Sequence, residues 1–80
     1  MNQFNAVIKK IINVANELQK YGSTGASTSE QIAAAFVLNN MALLPAGYQD
    51  VVEAWDRLDN WQTHVKVIKQ KYMYAIQAPG

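Results

Sequence analysis

No cysteine occurs anywhere in the chain. This excludes disulfide frameworks, zinc–thiolate centres and thiol nucleophiles, and it suits a reducing compartment. Histidine occurs once, as His64, which limits any imidazole-based metal site to a single such ligand. Charge is also sparse: Asp, Glu, Lys and Arg together are 16% of the residues, and the formal net charge is +1. Domains that hold nucleic acid mainly through phosphate contacts carry a larger basic excess, so nucleic acid is not the expected partner. The longest apolar run, Ile32 to Leu38, falls far short of the roughly 20 residues that a membrane span requires. Met1 to Asn5 lacks the basic start and apolar stretch of a secretory leader. The expectation is a soluble, cytoplasmic protein without a membrane partner.

What is present is apolar and periodic. Half of the 80 residues are hydrophobic, enough for one core and too many for a disordered chain. The polar residues lean on Asn and Gln (Asn2, Asn5, Asn13, Asn16, Gln19, Gln62 and Gln70). The pattern predicts an all-α fold, a small three- or four-helix bundle in a single domain over 1–80, with helices at about 3–21, 29–39, 48–58 and 60–77.

The first helix is the clearest. Phe4, Val7, Ile8, Ile11, Val14, Ala15 and Leu18 recur at three- and four-residue steps and share one face. Asn5, Lys9, Asn13, Asn16 and Lys20 take the other. Gly22 is placed to end it, because glycine enters the left-handed region without steric cost. The loop Gly22–Ser27 leads to a capping box, with Thr28 and Gln31 as the leading register and Ser27 and Glu30 as the alternative. Ile32, Ala35 and Phe36, widened by Ala33, Ala34 and Val37, give the second helix an apolar arc broad enough for the centre of a bundle. Asn39-Asn40 ends it, Met41–Leu44 is a short apolar turn, and Pro45 biases Leu44 away from helix.

Between Tyr48 and Gln77 there is no Gly or Pro. Ala54, Leu58, Trp61, Val65, Ile68, Tyr72, Ala75 and Ile76 form one stripe, flanked by Val51 and Trp55. Either one long helix or two helices meeting at Asp59-Asn60 accounts for it. The break is preferred, since globular helices seldom run so long, with Asp59 and Gln62 available as a capping arrangement. Alternation at His64–Val67 and Lys71–Tyr74 has some strand character, but Lys69-Gln70-Lys71 is a poor hairpin loop and helix is the better reading.

Catalytic and cofactor motifs are not found. Gly22-Ser23-Thr24-Gly25 precedes a helix N-terminus, yet a phosphate-binding loop needs a preceding strand and a terminal Lys. Asp50, Glu53, Asp56 and Asp59 drift around a helix rather than converge, and Glu53 is spaced to pair with Arg57. No serine sits in a nucleophile elbow. Gln31–Ala35 resembles the first helix of a helix-turn-helix, but Pro45 and Gly47 fall where its recognition helix should be. No enzyme activity, cofactor, metal or specific small molecule is expected.

One surface invites an interaction reading. In a continuous helix from residue 61 to 76, Val67 and Tyr74 lie seven apart and point away from the main stripe, with Met73 roughly a quarter-turn from each stripe. Surface helices normally carry a single apolar stripe, so a second suggests another neighbour. Tyr and Met are enriched at interfaces, and Trp55, at the stripe's edge, is either a core cover or an exposed anchor. The leading reading is therefore a small non-enzymatic interaction protein whose partner is another protein or a second copy, a homodimer. A nucleic-acid-binding regulator and a small-molecule-binding helical domain are the alternatives.

Overall fold

The computed structural model describes the backbone of residues 3–77 and the side chains of residues 6–77. The side chain of Phe4, expected on the first buried face, lies outside them. Helix α1, Gln3–Tyr21, follows the predicted stripe: Ile8, Ile11, Val14, Ala15 and Leu18 are buried. Gly22 ends it at φ +74°, its N–H donating to the Leu18 carbonyl at 2.8 Å. This is the single-bond left-handed cap that only glycine adopts without strain.

Helix α2, Thr28–Val37, starts in the alternative register. Ser27 Oγ accepts from the Glu30 N–H at 3.2 Å, and Glu30 Oε1 accepts from the Ser27 N–H at 3.0 Å. The Thr28–Gln31 box is thereby corrected. Gln31 is engaged elsewhere, and its Nε2 donates to the Leu43 carbonyl at 2.9 Å, satisfying a backbone acceptor of the following turn. The helix stops two residues short of the expected Asn39. Asn39 takes φ +53°, and the N–H groups of Asn39 and Asn40 close on the carbonyls of Phe36 (3.1 Å) and Ala35 (3.0 Å). That is a Schellman ending, made possible by the tolerance of Asn for the left-handed region. Lys69 Nζ, from the far end of the chain, donates to the Phe36 carbonyl at 3.0 Å, placing a cation on the helix C-terminus.

A short 3-10 turn, Met41–Leu43, is capped by Asn40, and buried Leu44 is extended ahead of Pro45 as expected. Helix α3, Val51–Leu58, begins three residues later than predicted. The Tyr48 N–H turns back to the Pro45 carbonyl at 3.0 Å, and Asp50 Oδ1 accepts from Glu53 N–H at 3.0 Å, so Asp50 sets the start. Arg57 lies over the Tyr48 ring, 4.9 Å from its centroid.

The predicted break is present: Asp59 takes φ +50° and separates α3 from helix α4, Trp61–Val67. The expected Asp59–Gln62 capping arrangement is replaced by another bond. No side chain caps α4 at Asn60, and Gln62 Nε2 reaches back to the Trp55 carbonyl at 2.8 Å, stitching the two helices across the break.

The final helix does not continue as α to residue 77. After Val67 the backbone widens into a π-helical segment, Ile68–Tyr72, then tightens into a 3-10 turn, Met73–Ala75, and leaves helical geometry at Ile76. α1 ties down the end of this segment. Asn16 Nδ2 donates to the Ala75 carbonyl at 3.0 Å, and Asn16 Oδ1 accepts from the Gln77 N–H at 2.7 Å. Gln19 Nε2 adds a bond to the Gln77 carbonyl at 3.3 Å. In a regular helix the Gln77 N–H would pair with the Met73 carbonyl, but Pro79 has no N–H to offer the Ala75 carbonyl; here two α1 side chains take these groups. Asn16, expected on the solvent face, is instead half-buried.

The four helices form a small bundle with α2 at its centre. α1 packs on α2 and α4, and α3 packs on the same two. Ile32, Ala33, Ala34, Ala35 and Val37 of α2 are all buried, and the short alanines let the neighbours come close. Among the described residues there is no strand, no buried polar or charged residue in the core, and no helix long and apolar enough to cross a membrane.

Candidate interaction surface

The residues that the sequence nominates for an interaction surface fall into three environments. Val67 is half-buried and packs against the core. Met73 and Tyr74 are exposed, Tyr74 at 83% of its accessible surface. Trp55 is half-buried, its ring meeting Phe36 edge-on at a centroid distance of 5.0 Å. The seven-residue spacing of Val67 and Tyr74 aligns them only if two α-turns lie between. The π and 3-10 geometry of the intervening residues removes that register, and the two side chains face different surroundings.

Tyr74 instead belongs to a groove between α1 and the C-terminal segment. Ile8, Ile12 and Asn16 form its α1 wall, Tyr72 and Tyr74 its opposite lip, and Lys9 its rim, around a volume of about 400 Å³. The two tyrosine rings are tilted against each other with centroids 6.1 Å apart. The strap formed by residues 75–77 and the Asn16 amide holds this lip in place. Sequence spacing puts Ile8 and Tyr72 in core stripes and Ile12 in none. The signal for Ile12 is its place beside Ile11 and four residues after Ile8, which widens the α1 stripe toward the strap.

Trp55 lines a second hollow, of about 290 Å³, with Phe36, Val65, Lys66 and Lys69. Its floor is aromatic, but one of its two lysines already caps α2. Beside the glycine loop a smaller hollow of about 200 Å³ is lined by Lys10, Glu17 and Gly25. There Thr24 donates to the Glu17 carboxylate, while the Glu30 carboxylate occupies the α2 N-terminus through Ser27 N–H. Carboxylates at this helix start disfavour an anion in the same place.

His64 is half-buried with its ring edge-on to Trp61 at 6.4 Å, and desolvation holds its pKa below the ordinary imidazole value. Among the described residues no three His, Asp or Glu side chains converge as a metal site. Comparison of the chain with protein-family models, with curated proteins and with solved structures finds no match, so the functional reading rests on the surface itself.

Proposed function

We propose that this chain is a small non-enzymatic interaction protein that acts by self-association, with the tyrosine-lipped groove as its contact surface. The observation that carries this reading is Tyr74. It is a large aromatic side chain, 83% exposed, held by a hydrogen-bonded strap next to Tyr72 at the mouth of an apolar groove. Tyrosine in such a position contributes rigid amphipathic contact area at little entropic cost, and burying it on a partner removes apolar surface from water. Met73, 41% exposed, extends the patch. A net charge of +1 leaves little electrostatic repulsion between copies. The cysteine-free composition suits the cytoplasm.

Light scattering coupled to size exclusion over a wide concentration range tests the reading. The native chain is expected to exceed monomer mass as concentration rises, and Tyr74→Glu to run as a monomer with an unchanged far-UV circular dichroism spectrum. Monomer mass for the native chain at every concentration would sink the proposal.

A further inference from the structure

The groove has a complementary surface on the same molecule. The lysines are segregated: all six (Lys9, Lys10, Lys20, Lys66, Lys69 and Lys71) lie on α1 and the stretch after Asp59, where Glu17 is the single acidic side chain. Helix α3 and its flanking caps carry Asp50, Glu53, Asp56 and Asp59 against Arg57 alone. Val51 and Val52 of α3 are exposed at 45% and 69%. On a 3.6-residue helix whose Ala54 and Leu58 are buried, Val52, Glu53 and Asp56 share the outward face. An apolar side chain beside two carboxylates thus faces solvent on α3. The apolar groove, with Lys9 on its rim, opens between α1 and the C-terminal segment.

The helix packing keeps these surfaces apart within one molecule. α1 and α3 both pack on α2 and α4 and make no comparable contact with each other. No α3 residue lines the groove of its own copy, and Val52 stays open to solvent.

Resting on the self-association reading above, we propose that association is head-to-tail: the outward face of α3 (Val52, Glu53, Asp56) docks into the groove of a second copy, between Ile8, Ile12, Tyr72 and Tyr74, with its carboxylates against Lys9. Charge decides between this and a symmetric contact. The groove lining holds Lys9 and no carboxylate, so two grooves face to face would offer Lys9 no opposite charge, whereas α3 on the groove brings opposite signs together. The eight residues of α3 span about 12 Å. The contact is therefore small, in the range of weak reversible complexes, and partly electrostatic, so added salt weakens it. Because the two surfaces differ, the contact does not close at two copies and growth continues with concentration.

The test pairs two variants of the full chain. One blocks α3 (Val52→Ser with Asp56→Lys) and keeps the groove; the other blocks the groove (Lys9→Glu with Tyr74→Ala) and keeps α3. All four positions are exposed to solvent, and thermal melts check that both variants fold. Sedimentation velocity is expected to show each variant self-associating about tenfold or more weakly than the native chain, and their mixture recovering a complex, because each supplies the surface the other lacks. An α3 variant that associates like the native chain, with a groove variant that the mixture does not rescue, would overturn head-to-tail pairing and leave groove-mediated association standing. A native chain that never associates would overturn both.

Discussion

Helix α1 and the stretch from Trp61 to Gln77 are similar in length, and each shows one strong apolar stripe, yet only α1 is an α-helix from end to end. α1 satisfies its backbone within itself and stops at a glycine. The C-terminal stretch begins in the same way, then passes its last polar groups to Asn16 and Gln19. Periodicity reports which side chains face the core. It does not report whether another segment offers the backbone a better partner than the next helical turn. In this protein that difference also builds the groove, since the strap that replaces the last turn carries the tyrosine lip.

The largest effect bears on whether the two regions are equally well packed. Ile11 in α1 and Ile68 at the start of the π segment are both fully buried. Ile11→Ala and Ile68→Ala are each expected to cost about 2–5 kcal/mol in chemical denaturation. A near-zero loss at Ile68 alone would show the π segment to be loosely held, and the comparison would become one of order against fraying.

A smaller change isolates the strap. Asn16→Ala removes two hydrogen bonds to residues 75 and 77 while leaving the apolar stripe of α1 intact. The expected cost is about 1–3 kcal/mol, with faster amide exchange at Gln77 and, if the freed backbone returns to helix, a gain in far-UV helicity. Unchanged exchange at Gln77 would mean that packing, not the Asn16 amide, holds the segment.

The smallest effect comes from His64 in α4. Desolvation lowers its folded pKa, so the neutral imidazole is the form that the native state favours. The unfolded chain binds the proton more readily. This contribution is therefore complete above the unfolded value of about 6.5 and is lost as pH falls toward the lower folded value. Melting temperature should decline on acidification through that window, and less so in His64→Gln. Identical pH profiles for the two proteins would show that His64 contributes nothing to the acid response.

Much of the fold is legible in the residues alone. The α1 stripe, its glycine stop, the apolar arc of α2, the extended Leu44 before Pro45 and the break at Asp59 all follow from local rules of spacing and backbone sterics. The capping register of α2 is open at that level because Ser27–Glu30 and Thr28–Gln31 both fit the capping-box pattern. In the fold Glu30 completes the box with Ser27, and Gln31 is engaged by the Leu43 carbonyl twelve residues away. The candidate site is legible in part. Tyr74 and Met73 stand out as apolar residues off the main stripe, but Val67 joins them only through a register that the π segment removes. Ile8, Ile12 and Tyr72 stay hidden because residues at the edge of a core stripe look like core.

Local chemistry alone therefore determined the helical class, the central place of the alanine-rich α2 and the segregation of lysines from the acidic α3, since each depends on residue type and short-range spacing. Tertiary structure alone decided how the end of the last helical segment is tied down and that a groove exists there. Both depend on the amides of Asn16 and Gln19 meeting a backbone some 58 to 61 positions along the chain, a distance over which neither helical periodicity nor capping preference carries information.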